Sequence, residues 1–382
     1  MSGGTRIDCQ RHLFDVPDDV AYLNCAYMGP LLRSAAEAGA AAVARKQHPW
    51  EITSSDFFSL PDRGRAAFAR LIGASAEDVA VIPAVSYGIA LAARNLRIEP
   101  GQEIVLLGEQ FPSNVYPWRA VAKERGARIV TVDAPGEDGW TPRILDVIGR
   151  ETAVVAVPHC HWTDGALIDL LALRARTREV GAALVLDVAQ SCGAWPLDVA
   201  EVRPDFLVAV TYKWLLGPYS LGFLYVAPEH RGGEPLEWNW IGRAGAEDFA
   251  RLVDYTDAPA PGARAFDMGE RAQFQLMPIA IAAMEQIQAW GVENIAATLS
   301  ERTAAIAERA ATLGLRAAPP DRRAGHYLGL RFPRGVPDGL LEQLARRRVY
   351  VSVRGDSVRV TPHLFTTDQD VDRFFEALEE AL

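Results

Sequence analysis

Ala182–Ser191 reads AALVLDVAQS and Phe206–Pro218 reads FLVAVTYKWLLGP. Each is an almost unbroken apolar run that ends in a chemically active residue, Asp187 in the first and Lys213 just beyond the second. Continuous rather than alternating apolar runs predict strands covered on both faces. Five more runs share the texture: Val79–Pro83, Glu103–Gly108, Ala127–Val132, Thr152–Val157 and Leu221–Val226. Helix-like segments lie between most of them, at Tyr87–Arg97, Val115–Arg125, Thr141–Arg150 and Ile168–Val180. This alternation predicts an α/β layer with a seven-stranded, mostly parallel sheet and helices on both faces.

The texture changes after Val226. Residues 227–265 are rich in Gly, Pro and Trp. A long helical pattern runs from Gln275 through Trp290 to Leu313. Tyr327–Phe332, a helix around Leu340–Arg348, two short strands (Tyr350–Arg354 and Ser357–Thr361) and a last helix from Asp368 follow. The expected organisation is an N-terminal segment over 1–45 packing with the small domain, a large α/β domain over 46–265, and a smaller α+β domain over 266–382.

Composition narrows the function. The 382 residues hold 39 Lys+Arg against 49 Asp+Glu, a net charge of −10. That balance argues against nucleic acid or an anionic membrane as partner, since both need a basic patch. No apolar run is long enough to span a bilayer, and residues 1–14 show no apolar signal core. Four scattered cysteines (Cys9, Cys25, Cys160 and Cys192) read as free thiols, so a cytoplasmic location is expected. Lysine occurs only at Lys46, Lys123 and Lys213, which leaves three candidates for amine chemistry.

Lys213 stands among Trp214, Leu215 and Leu216. Desolvation there lowers its pKa and makes it nucleophilic. A snorkelling surface lysine is the alternative. Asp187 ends a buried strand, where a carboxylate needs a partner or serves as an N-cap. Ser86 follows Val79–Pro83 at a helix start, either as an anion site or as a plain N-cap. His159, Cys160 and His161 lack companion ligands elsewhere, and no metal site is expected. His159 reads instead as a residue at a strand end over a cofactor. Phe111 follows Glu103–Gly108 and reads as core or as a ring for stacking. These residues all lie at the carboxyl ends of strands in one sheet, where such sheets bind ligands. An anion site, a stacking ring, a counter-ion and an amine together fit pyridoxal 5′-phosphate.

The sequence resembles the class V aminotransferase family of fold-type I pyridoxal-phosphate enzymes, which includes cysteine desulfurase and kynureninase relatives. The likeness runs from YLNCAYMGPL at Tyr22–Leu31 to the C-terminal helix. It implies that Asp187 pairs with the pyridine nitrogen, Gln190 bonds the ring oxygen O3′, and Lys213 carries the cofactor as a Schiff base. Through AVSYG at Ala84–Gly88 it implies phosphate contacts from Val85 and Ser86, and through TYK one from Tyr212. It places Phe111 as the stacking ring. It implies Arg359, in SVRV, as the clamp for the substrate carboxylate, and Asn114, in FPSNVY, as a substrate contact. It also implies a homodimer with sites at the interface. FDMGE at Phe266–Glu270 stands where relatives reach the partner's phosphate, and the cross-dimer contact is expected to fall to Trp240 instead. The loop before Arg359 has no cysteine, which disfavours persulfide transfer. The expected activity is transamination of an α-amino acid. The alternatives are a kynureninase-like or C–S (β-elimination) lyase and an epimerase, with a non-catalytic binding protein less favoured.

Overall fold

A computed structural model describes residues 4–134 and 138–382. Residues 1–3, part of the expected N-terminal segment and of the stretch read for a signal, lie outside the described residues. The chain opens with β1 (Ala21–Tyr22), α1 (Arg33–Arg45) and α2 (Asp56–Ile72). The layer then alternates: β2 (Val79–Ile82), α3 (Val85–Asn95), β3 (Glu103–Leu107), α4 (Tyr116–Arg125), β4 (Arg128–Val132), α5 (Trp140–Val147) and β5 (Thr152–Pro158). It continues through α6 (Leu170–Val180), β6 (Ala183–Asp187), α7 (Val199–Val202), β7 (Phe206–Val210) and β8 (Gly222–Val226).

These strands form one seven-stranded sheet in the order β2-β8-β7-β6-β5-β3-β4. Only β8 runs against its neighbours. The apolar runs do not alternate because both faces are buried. Val105, Val155, Leu184 and Leu207 enter one core, while Ile104, Val154, Val185 and Val208 enter another on the opposite face. α4 and α6 stop at Gly126 and Gly181, whose left-handed backbone ends each helix cheaply. The parallel strands put the ends of β2, β3, β5, β6 and β7 on one edge of the sheet, and that edge holds the site.

The rest of the chain comprises α8 (Leu276–Trp290), α9 (Val292–Thr312), β9 (Leu328–Arg331), α10 (Leu340–Arg346), β10 (Val349–Tyr350), β11 (Ser352–Arg354), β12 (Ser357–Val360) and α11 (Asp368–Ala381). β11, β12 and β9 form an antiparallel sheet, and β1 pairs in parallel with β10. The pattern read as one long helix breaks at Gly291 (φ 80°), which ends α8 and starts α9. The domain boundary expected at 266 does not coincide with a change of core. Met277, Ile281, Met284 and Ile287 of α8 are buried with the large sheet, whereas Ile306 of α9 belongs to the smaller core. That smaller core takes in Ala21 and Leu23 from the N-terminal segment. Among the described residues no helix is long and apolar enough to cross a membrane.

Candidate active site

Asp187 is the last residue of β6, paired with Pro158 of β5 and Val208 of β7. It is 6% exposed. One carboxylate oxygen accepts the Ala189 N–H at 3.0 Å, and the other accepts nothing from the described residues. Burial pushes the carboxyl upward in pKa, while the Ala189 N–H and the charge of Lys213 oppose it. Lys213 lies three residues past β7 and is 7% exposed. Burial lowers its amine to about 8; Asp187 opposes that shift, and Arg359 and Arg354 add to it. The amine stands 5.4 Å from the Phe111 ring centroid and 5.6 Å from that of Tyr212. Two ionisable groups of opposite sign thus face one cavity without forming a contact ion pair.

That cavity, of about 380 Å³, is lined by Val85, Ser86, Phe111, Asp187, Gln190, Tyr212 and Lys213, among others. Val85 and Ser86 are the first two residues of α3. The N-cap is Ala84, which has no capping side chain, so Ser86 is not the N-cap and its hydroxyl is free of that role. The first-turn N–H groups are therefore available to an anion. Gln190 is held from three sides. Its Nε2 donates to the Ala26 carbonyl at 3.0 Å, its Oε1 accepts from Trp214 Nε1 at 3.1 Å, and its backbone oxygen lies 2.6 Å from His326 Nε2. One Nε2 hydrogen remains for the cavity. The donor set fits pyridoxal 5′-phosphate: an unpaired buried carboxylate oxygen for a ring N–H, a helix start for a phosphate, and a desolvated amine for an aldehyde.

Four other residues expected at the site do not line this cavity in the single chain. Asn114 is fully buried. Its Oδ1 accepts from Trp118 Nε1 at 2.9 Å, one helical turn on, and it does not line the cavity. Its Oδ1 thus ties the start of α4, while its Nδ2 has no partner among the described residues. His159 lines a separate cavity with Trp140, Leu167 and Ile168 and is not among the residues that line the one with Lys213. Burial lowers its pKa to about 4, so the ring is neutral. Trp240 is 40% exposed and packs on Phe57 and Phe249, away from the cavity. Arg359 is 1% exposed and sits behind the cavity wall. Its Nε donates to Ser352 Oγ at 2.8 Å and its Nη1 to the Trp162 carbonyl at 3.1 Å, while Nη2 has no partner.

Sequence reasoning passed over Gln110, Ser113, Trp162, Tyr219 and Ser220, which also line the cavity. Trp162 is the most consequential. Its ring meets Phe111 edge-on at 5.3 Å, and its Nε1 donates to the Glu109 carbonyl at 2.6 Å. Its place four residues past β5, in PHCHWTDG, was the available signal.

The family description Aminotransferase class-V matches residues 34–371. The chain is 30% identical over 322 residues to the uncharacterized aminotransferase YcbU of Bacillus subtilis (strain 168), covering 80% of each protein. It is 33% identical over 273 residues to a kynureninase of Deinococcus radiodurans, covering 68% of this chain and 64% of that protein. An apo structure of a cysteine desulfurase from Thermococcus onnurineus NA1 superposes with a TM-score of 0.84 at 18% identity, covering 98% of each chain. That likeness shows the fold, a fold-type I architecture.

Proposed function

The chain belongs to the aminotransferase class-V family, whose cofactor is pyridoxal 5′-phosphate, and on that premise we propose that it transfers the amino group of an α-amino acid through Lys213. The observation that carries the reading is the buried Lys213 amine, held at about 8 and facing Asp187 across the cavity. When bound, the cofactor supplies an electron-withdrawing ring that stabilises negative charge at the substrate's Cα. Asp187 holds a proton at the ring nitrogen. The start of α3, with Val85 and Ser86, and the side chain of Tyr212 bind the phosphate. Phe111 would cover the ring, and Gln190 would offer its free N–H to O3′. Lys213 Nζ, close to half protonated near pH 8, can accept the Cα proton and return it two bonds away, at the carbon that carried the cofactor's aldehyde. Arg359 offers Nη2 to the substrate carboxylate, and its other donors, fixed by Ser352 and Trp162, hold it in register.

The chain works as a cytoplasmic homodimer in this reading. Exposed aromatics around Trp240 support the dimer, and four free cysteines support the compartment. A kynureninase-like lyase is the second reading, supported by the 33% identity over 273 residues. The test mixes holoenzyme with single amino acids and no keto acid. Transamination yields one keto acid per site and leaves the cofactor in its pyridoxamine form, which an added keto acid reverses. Release of ammonia or a side-chain fragment, with the cofactor unchanged, would overturn transamination in favour of the lyase.

A further inference from the structure

We infer that the substrate carries a second anionic group, a carboxylate on its side chain, and that Arg354 is the residue that takes it. The inference rests on the amino-acid reading above and narrows it to dicarboxylic amino acids.

Arg354 and Arg359 stand on the two strands of one hairpin, whose register pairs Ser352 with Arg359 and Arg354 with Ser357. Their guanidinium carbons lie 5.6 and 6.0 Å from the centroid of the Trp162 ring. Trp162 lines the cavity that contains Lys213. The two arginines are also near enough to act on the Lys213 amine, and Arg359 acts on Arg354. Three cationic groups are therefore gathered about Trp162 and Lys213; Trp162 and Lys213 line the cavity, and the two arginines stand next to that lining.

Among the described residues, no carboxylate lies within 4 Å of either guanidinium, whereas the nearby Arg331 on β9 pairs with Asp164 at 3.0 Å. Like charges held together in a half-dry cleft repel unless an anion joins them. The chain's own acids thus leave two arginines unneutralised near the reactive amine.

The two differ in what they can still bind. Arg359 is buried, its Nε and Nη1 are committed, and only Nη2 has no partner. It presents one fixed edge deep in the wall, which suits the α-carboxylate. Arg354 is half-buried and spends one donor, Nη1, on the Val353 carbonyl at 2.7 Å. Its remaining donors form a fork near the Trp162 ring, close enough to the exposed Tyr27 to feel its charge. A planar fork matches a carboxylate bidentately. An α-carboxylate on Arg359 and a side-chain carboxylate on Arg354 would neutralise both arginines with one molecule.

The test titrates holoenzyme with matched pairs: L-aspartate against L-asparagine, L-glutamate against L-glutamine, and L-2-aminoadipate against L-norleucine. Binding is read from the change in cofactor absorbance and, independently, from the thermal shift. At least one acid is expected to bind about tenfold tighter than its neutral counterpart. Arg354→Gln is expected to erase that preference and leave the neutral ligand's affinity unchanged. Arg359→Gln is expected to weaken acid and neutral ligand alike. Equal affinity within every pair would overturn the inference. So would an Arg354→Gln enzyme that weakens both members of a pair equally, because Arg354 would then share the α-carboxylate. Either result leaves the amino-acid reading standing, whereas no response to any amino acid would remove both.

Discussion

Lys213 is one of three lysines in a chain whose other basic residues are arginine, and it is the one that is buried with its amine at about 8. Below that pH the amine is protonated and has no lone pair; above it the nucleophilic form dominates. Trapping of pyridoxal phosphate on the cofactor-free protein with borohydride is therefore expected to rise through about pH 8, where an ordinary lysine would rise through about 10.4. Lys213→Ala should lose the labelling that rises through about pH 8 and keep only that of ordinary amines such as Lys46 and Lys123 at higher pH, and a persistent pH 8 component would remove Lys213 from its role. Asp187→Asn tests the other wall. Asparagine keeps the shape and the Ala189 bond but cannot supply the charge that holds a proton on the ring. Leaving a buried charge unpaired costs about 3–5 kcal/mol. If that cost falls on the transition state, turnover drops on the order of a thousandfold while cofactor remains bound. Near-wild-type turnover would contradict the assignment. Both residues were legible in sequence because each is a chemically active side chain terminating an apolar strand. Asn114 does not line the cavity because the spacing of FPSNVY fixes a position on the chain but not the direction of a side chain, and Trp118 Nε1 donates to its Oδ1. Arg354 was silent because nothing local marks a guanidinium whose partner ring, that of Trp162, lies far away in sequence.

The seven strands of the large sheet were readable to within a residue or two, because burial on both faces leaves runs that only a covered strand tolerates. The small unit was read less well, for two physical reasons. A glycine can end one helix and begin another without interrupting the apolar period, as Gly291 does. Strands of two or three residues, such as β10 and β11, are too short for a period to show. The N-terminal segment had the least signal, yet it stitches the site together. Leu23 donates to Tyr350 and Cys25 to Thr361, Ala26 accepts from Gln190, and Gly29 donates to the Tyr212 carbonyl at 2.9 Å. A Cβ on Gly29 would lie 2.3 Å from the Lys213 carbonyl oxygen, which has no flexible side chain to yield. Gly29→Ala should therefore displace the lysine turn. A loss of about 1–3 kcal/mol in stability is expected, as for overpacking elsewhere, together with weaker cofactor binding by equilibrium dialysis. Unchanged cofactor affinity would mean that the segment does not set the turn.

At the scale of the whole molecule, charge and apolar surface make opposing demands. A net charge of −10 makes two copies repel. The surface around Trp240 pulls the other way. Trp240 and Phe249 are 40% and 39% exposed and interlock with Phe57 at 6.1 and 5.4 Å, while Trp238 in the same stretch is 68% exposed. Aromatic clusters of this kind are covered in most proteins, and an exposed one marks a contact surface. If this face joins two copies, apolar burial drives association and the acidic charge opposes it. Salt then has a definite sign. Raising it from about 0.1 M to about 1 M shortens the screening length from about 10 Å to about 3 Å, which weakens the repulsion and leaves the apolar gain in place. The dimer is expected by light scattering at both ends of that range, with the tighter constant at high salt. Trp240→Glu removes aromatic area and adds a like charge at the same point, so it should shift the equilibrium toward single copies, most strongly at low salt. Its far-UV circular dichroism should match the wild type, because the side chain is half outside the fold already. A dimer that dissociates as salt rises would instead be held by ion pairs, and one indifferent to Trp240→Glu would use another face.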